Sequence, residues 1–288
     1  VTRISYLGPA GTFTEAALLA LTGAGRVPGA DPVPLPVEST PAALDAVRTG
    51  LADYACVPIE NSIEGGVTPT LDGLASGPPL QIFAETALGV AFSIVVAPGR
   101  KTGDIRTVAA HPVAAAQVRH WLAEHLPLAQ VVPANSNAAA AQQVCEGEAD
   151  AGVSTALAAE QRGLAALAQG VIDEPNARTR FVLVGVPAAP PPRTGADRTS
   201  VVLRLENAPG ALAAALTEFG SRGIDLTRIE SRPTRTELGT YLFFLDCVGH
   251  IEDAAVAQAL QALRQSCAEV RYLGSWPVGS ANRCGARA

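Results

Sequence analysis

The chain has 288 residues, a formal net charge of −6, and a composition that is 48% hydrophobic and 17% charged. That length suits two domains, and the apolar fraction is that of a globular protein and too high for a disordered one. A negative balance with no Lys/Arg block argues against nucleic acid or an anionic membrane as the main partner.

In chain order, residues 4–7 read as a short strand, the turn Gly8-Pro9-Ala10-Gly11 follows, and a helix runs over about 13–21. Thr40-Pro41 opens a second helix, with Pro at the first helical position and Gly50 just past its end. Residues 54–57 read as a buried strand. The longest apolar stretch, 88–97, is broken by Gly89 and Ser93 and falls well short of the roughly 20 residues a membrane span needs. Its 88–96 portion reads as one strand, long enough to cross between lobes. Alternation then resumes: a strand over 107–110, a helix through Trp121, a strand over 130–132, a helix over 138–143, and strands over 151–153 and 180–184. This pattern implies parallel sheets covered by helices on both faces. Two such runs joined by a long strand imply two lobes with a cleft between them. Ligands of such sheets sit beyond the carboxyl ends of strands, at loops leading into helices.

The segment Pro187-Ala188-Ala189-Pro190-Pro191-Pro192-Arg193-Thr194-Gly195 divides the chain. Three consecutive prolines forbid helix, supply no ladder donors and favour an extended spacer. The expected division is a first domain over 1–187, a Pro-rich linker over 188–198, a second domain over 199–276 and a tail over 277–288. The second domain reads as a strand over 199–205, a helix over 209–219 and strands over 225–231 and 240–248. A helical face marked by Val256, Leu260, Leu263 and Cys267 follows, then a closing strand over 270–273. The order βαββαβ is that of a ferredoxin-like unit. Cys56, Cys145, Cys247, Cys267 and Cys284 are scattered without C-x-x-C spacing, which reads as reduced thiols and neither a disulfide framework nor a metal site. With no charged-then-apolar leader at Val1-Thr2-Arg3-Ile4, the chain is expected to be cytoplasmic.

Three segments carry residues suited to ligand chemistry. Gly8-Pro9-Ala10-Gly11-Thr12-Phe13-Thr14-Glu15 follows a strand and opens a helix, so unpaired N–H groups form an anion site, and Thr12 with Glu15 fits a capping box. It is neither a phosphate loop nor G-x-G-x-x-G, and on its own it reads equally as a well-capped helix behind a tight turn. Pro58-Ile59-Glu60-Asn61-Ser62-Ile63-Glu64-Gly65-Gly66 offers the neutral donors Asn61 and Ser62 beside glycines that let a ligand approach the backbone. It also reads as a turn that satisfies its own backbone. In Asn176-Ala177-Arg178-Thr179-Arg180-Phe181 a hydroxyl lies between two guanidinium groups, an anion clamp or a surface strand edge. His111, before Pro112, reads as a polar cap. His120, His125 and His250 lack partners at metal spacing, and no G-x-S-x-G elbow occurs. No metal or cofactor is expected.

Together, and in order, these three segments resemble the signature segments of the prephenate dehydratases. Asn207-Ala208-Pro209-Gly210-Ala211-Leu212 and Glu230-Ser231-Arg232-Pro233 resemble the effector segments of that family's ACT regulatory domain. The resemblance runs from about Arg3 to Trp276. It implies an α/β, two-lobed catalytic domain similar to periplasmic binding proteins, followed by a ferredoxin-like ACT domain. It further implies conversion of prephenate to phenylpyruvate, CO2 and water in phenylalanine biosynthesis without a cofactor, L-phenylalanine as effector, and self-association of ACT domains into a dimer or tetramer. By the same resemblance Thr179, Arg180 and Phe181 form the catalytic set. Thr179 is the donor to the departing hydroxide, and Arg180 supplies either charge or a structural salt bridge. Gly8, Pro9, Ala10, Gly11, Thr12, Asn61, Ser62, Gly65, Ser154 and Asn176 bind substrate, while Asn207, Ala208, Pro209, Gly210, Ala211, Leu212, Glu230, Ser231, Arg232 and Pro233 bind the effector. One departure stands out: the family often has two adjacent Asn residues before Thr-Arg-Phe, whereas Ala177 follows Asn176 here. An arogenate dehydratase and a non-catalytic amino-acid sensor are the alternative readings. A chain ending near Pro187 is expected to keep some turnover and lose sensitivity to phenylalanine.

Overall fold

The computed structural model describes residues 1–174, 176–235 and 239–278. The first lobe contains β1 (Thr2–Leu7), α1 (Phe13–Gly23), β2 (Pro32–Val37), α2 (Thr40–Arg48), β3 (Tyr54–Asn61), β4 (Gly65–Gly66), α3 (Thr68–Ala75) and β5 (Gln81–Gly89). The second contains β6 (Phe92–Val96), β7 (Thr107–Ala110), α4 (Pro112–Gln117), α5 (Arg119–His125), β8 (Gln130–Pro133), α6 (Asn137–Cys145), β9 (Ala151–Ser154), α7 (Ala156–Gln161) and β10 (Ala165–Val171). The chain returns to the first lobe with β11 (Arg178–Gly185). It ends with β12 (Asp197–Arg204), α8 (Ala211–Gly220), β13 (Leu226–Pro233), β14 (Tyr241–Val248), α9 (Ala254–Ser266) and β15 (Glu269–Pro277). Of the expected tail only residues 277 and 278 are described, and Cys284 lies outside the described residues.

The first sheet has the order β2-β1-β3-β11-β5, with β4 on β3, and the second the order β10-β6-β9-β7-β8. Neither is the parallel sheet that the alternation implies. In the first, β1 runs parallel to β2 and β3, but β11 is antiparallel to both β3 and β5. In the second, β7 runs parallel to β8 and β9, but β6 is antiparallel to both β9 and β10. The reversed strand in each sheet is the one that enters from the other lobe. The stretch expected as one strand over 88–96 is two, because a single ladder cannot serve two sheets: β5 ends at Gly89 and β6 begins at Phe92. Val90 N–H donates to Ala177 C=O at 2.7 Å, tying the outgoing crossing to the returning one.

On the first sheet, Ala17, Leu18 and Leu21 of α1 pack over Phe181 and Leu183 on one face. On the other, α2 and α3 contribute Leu44, Val47, Leu71 and Leu74. Helices do not cover all of that second face. Over β5 and β11 the C-terminal sheet replaces them, so Val202, Phe244, Leu273 and Trp276 share one buried core with Leu80, Ile82 and Val184. At the contact Gly274 has φ +135°, and a Cβ there would lie 2.3 Å from Ile82 O. Only glycine lets the β15 backbone lie directly on β5.

The C-terminal sheet has the order β13-β14-β12-β15 with every neighbour antiparallel, and α8 and α9 cover its far face. The proline-rich segment ahead of it is pinned, not a free spacer. Ala188 N–H donates to Gln81 Oε1 (3.3 Å), and the buried His250 Nε2 donates to Pro191 C=O (3.1 Å).

Candidate active site

Thr179 and Asn61 meet across the β3–β11 ladder, where Asn61 Nδ2 donates to Thr179 Oγ1 at 2.9 Å. The other end of the amide fixes this orientation. Asn61 Oδ1 accepts from the N–H groups of Ile63 (2.8 Å) and Glu64 (3.1 Å) in the turn to β4, so the NH2 group must face Thr179. Because Thr179 accepts from Asn61, its own O–H stays available to donate.

A bulge creates this rung. β11 pairs Phe181 with Pro58 and Arg180 with Glu60, passing over Ile59. Val57 and Ile59 both face the core under α2 and α3, and strict alternation would send Asn61 to that face as well. The extra residue reverses the alternation, setting Glu60 beside Arg180 and Asn61 beside Thr179.

Beyond the carboxyl ends of β1 and β2 lies a cavity of about 740 Å³. It is lined by Gly8, Pro9 and Thr12 from the first lobe and by His111, Asn135, Ser136 and Asn137 from the second. Asn61, Ser62 and Thr179 are not in its lining; they stand at the same edge of the first sheet, where the chain crosses to the second lobe. Two helices begin at the cavity wall. Thr12 caps α1 by accepting from Glu15 N–H (3.3 Å), and Ser136 caps α6 by accepting from Ala139 N–H (3.0 Å). The other first-turn N–H groups have no intrahelical partner, so two positive helix ends face one space. Asn135, Ser136 and Asn137 were not among the sequence candidates, although their place in the loop joining a strand to a helix is the signal that marks such sites.

The capping box expected at Thr12 and Glu15 is shifted by one residue. The Glu15 carboxylate accepts from Gly11 N–H (2.5 Å) and from Gln161 Nε2 (3.1 Å). Burial, and then the neighbouring Glu15, push the Tyr6 phenol up to about 12. Gly8 N–H donates to Val37 C=O, and Thr12 Oγ1 donates to Leu7 C=O. Gly8, Gly11 and the Thr12 hydroxyl are therefore engaged within the protein. Pro9 and Ala10 are exposed.

Ser62 extends the ladder past Asn61. Its N–H donates to Arg178 C=O and its Oγ accepts from Arg178 N–H, both at 2.9 Å. Asn176 is exposed at the crossing with φ 81°, and Gly65 pairs with Asn61. Ser154 does not line the cavity: it is buried and donates to Asn137 C=O, so it supports the start of α6.

Nor do Arg180 and Phe181 reach the cavity. Phe181 is core beneath α1. Arg180, 9% exposed, faces the opposite way, toward the C-terminal sheet. Its guanidinium meets Glu60 (Nε, 3.0 Å), Glu85 (Nη1, 3.2 Å) and Asp246 (Nη2, 2.6 Å). Burial opposes its charge, but Asp246, Glu85 and Glu60 outweigh that and hold its pKa above the ordinary arginine value.

In the C-terminal unit Asn207, Ala208, Ala211 and Leu212 line a cavity of about 170 Å³ with Tyr241 and Phe243. Gly210 is the N-cap of α8 at φ 81° and, like Pro209, is exposed. Glu230 and Arg232 lie on the other face of the sheet. Arg232 pairs with Asp72 of α3 (3.2 and 3.3 Å), and the Glu230 carboxyl abuts Gly66. Ser231 and Pro233 share the face that carries α8. Among the described residues no cluster of His, Cys, Asp and Glu has the makings of a metal site, and no helix is long and apolar enough to cross a membrane.

The prephenate dehydratase family model matches residues 4–189, and the ACT domain model matches residues 199–265. A prephenate dehydratase from Mycobacterium sp. (strain JLS) is 71% identical over 284 residues, covering 97% of this chain and 90% of that protein. Among solved structures, a prephenate dehydratase from Arthrobacter aurescens in complex with L-Phe is 47% identical with a TM-score of 0.86, covering 96% of this chain and 90% of that one. GqqA, described as a novel type of quorum quenching acylase, is 31% identical with a TM-score of 0.83, covering 96% and 98%. Its name attaches another chemistry to the same scaffold, at a far lower identity than the mycobacterial relative.

Proposed function

The chain belongs to the prephenate dehydratase family, and from that premise we propose how its residues carry the reaction. It is a lyase that converts prephenate to phenylpyruvate, CO2 and water, a step of L-phenylalanine biosynthesis. As the bond from the ring to its carboxyl group breaks, the electron pair enters the ring. The ring expels the hydroxyl oxygen at the opposite carbon and becomes aromatic. The electron flow begins and ends within the substrate, and the difficulty lies in expelling hydroxide.

Thr179 assists that departure, and its hydrogen bond from Asn61 is the observation that carries the reading. A threonine hydroxyl is too weak an acid to be a pH-tuned proton donor. It stabilises the leaving oxygen by donating a hydrogen bond, and the donation it receives from Asn61 polarises its own O–H. A fixed donor of this kind contributes about 2.7–4 kcal/mol by analogy with oxyanion-hole groups, or roughly 10²–10³ in kcat. The substrate's two carboxylates match the two helix ends at the cavity, α1 beside Thr12 and α6 beside Asn137. Purified chain incubated with prephenate and followed by the alkaline absorbance of phenylpyruvate tests this. Thr179→Ala is expected to lose 10²–10³ in kcat while remaining folded, and wild-type turnover in that variant would remove Thr179 from the mechanism.

L-phenylalanine is the feedback effector in this reading, held at the α8 cavity. The supports are the ACT match, the L-Phe complex of the Arthrobacter relative and the uncapped start of α8. Self-association belongs to the same proposal. β13 is a sheet edge, and pairing it with a second copy would cover its open ladder.

A further inference from the structure

We propose that Asp246, in the C-terminal unit, is a positioning residue for the dehydratase site and acts through Arg180; this rests on the reading of Thr179 as the donor. Arg180 and Thr179 are consecutive on β11 and project from opposite faces of the sheet. Across the ladder, Glu60 and Asn61 repeat the arrangement on β3. Arg180 clamps Glu60 on one face at the rungs where Asn61 meets Thr179 on the other. Its remaining nitrogens reach Glu85 of β5 and Asp246 of β14.

The charges show why the C-terminal unit completes this clamp. Among the ion pairs of the described residues, one first-lobe cation, Arg180, faces two carboxylates, Glu60 and Glu85. Within the C-terminal sheet two cations, Arg198 and Arg228, accompany one carboxylate, Asp246. Each side is off balance by one charge, in opposite senses, and joining them balances the cluster. Arg198 bonds Glu85 (2.6 Å) and Asp246 bonds Arg180 (2.6 Å), so both links cross the boundary. Arg180, Glu85, Asp246 and Arg228 are buried, and removing one partner from buried charges is costly. A shift of β14 therefore moves the Arg180 guanidinium, and with it the rung that aims the Thr179 hydroxyl. A misplacement of about 1 Å, even from a change far from the chemistry, can cost about 10²-fold in rate.

The test is steady-state kinetics on the full chain. Asp246→Asn is expected to lower kcat five- to thirtyfold with KM for prephenate within twofold, a split that general loss of folded protein does not produce once active sites are counted by ligand titration. Arg180→Met is expected to match it, and the double variant, whose remaining charges balance, to show no additional loss. In a Thr179→Ala background Asp246→Asn is expected to add nothing. Should Asp246→Asn alone fail to fold, the balanced double variant decides. Wild-type kcat in that variant, or losses that multiply between Asp246→Asn and Arg180→Met, would overturn the proposal. An undiminished effect of Asp246→Asn in the Thr179→Ala background would overturn the route through Thr179. Wild-type turnover in Thr179→Ala alone would instead fault the donor reading.

Discussion

A hydroxyl that accepts one hydrogen bond and offers another has its direction set by the group that donates to it, and Asn61 holds that office for Thr179. Asn61→Asp separates direction from packing. A carboxylate keeps both acceptor bonds to Ile63 and Glu64 N–H but turns from donor to acceptor toward Thr179. The Thr179 proton would then point at residue 61 and away from the substrate. The expected outcome is a kcat loss approaching that of Thr179→Ala with little change in thermal stability, whereas Thr179→Ser retains part of the rate. Near-wild-type kcat in Asn61→Asp would show that Asn61 has no part in aiming the hydroxyl. The sequence made Thr179, Asn61 and Ser62 legible through their motifs. It did not reveal that Asn61 and Thr179 bond each other, because the bulge at Ile59 that aligns them has no composition signal. The opposite directions of Thr179 and Arg180 were legible in principle: neighbours on a strand face opposite sides, so both cannot serve one cleft.

At the scale of elements, periodicity located most helices, and turn residues located their ends. Where it failed, the reasons are specific. β2 carries Pro32, Pro34 and Pro36, which argue against a strand; it forms nonetheless because it is an edge, bonded only to β1, where alternate donors are dispensable. The helix expected through Trp121 breaks into α4 and α5 at Val118, a buried residue whose φ of −125° leaves the helical region. At the start of α8, Gly210 holds a left-handed conformation that costs a branched residue about 1–2 kcal/mol. Gly210→Val is therefore expected to weaken inhibition by L-phenylalanine about 5–30-fold, while turnover without effector stays close to wild type. A Ki for L-phenylalanine equal to wild type in that variant would move the effector site elsewhere.

For the whole molecule, the sequence read the two units and the Pro-rich boundary between them but suggested modules on a spacer. The shared core says otherwise. A chain ending near Pro187 loses the cover of Leu80, Ile82 and Val184, and with Arg198 gone two carboxylates, Glu60 and Glu85, are left facing one cation, Arg180. It is expected to aggregate or melt well below the full chain in differential scanning calorimetry, so loss of phenylalanine control in such a fragment would not identify the effector site. The same interface sets an acid response. Burial would raise the Asp246 pKa, but Arg180 and Arg228 outweigh it and hold the carboxyl well below its usual range. The unfolded chain thus takes up this proton first. The stability from Asp246 is full above an unfolded-state pKa of about 3.9 and drains away as pH falls below it. Between about pH 4 and 2 the Tm of the wild type is expected to fall more steeply than that of Asp246→Asn; parallel slopes would show that the pairing is not maintained. The contact at Gly274 bears on ancestry as much as on stability. With the β15 backbone resting on Ile82, with no room for a side chain, the two units cannot be exchanged one at a time between relatives. A chimera joining this dehydratase portion to a foreign regulatory domain inherits a working enzyme only if the donor brings a glycine at that register and an acid facing Arg180, so these positions are expected to have been passed down as a set.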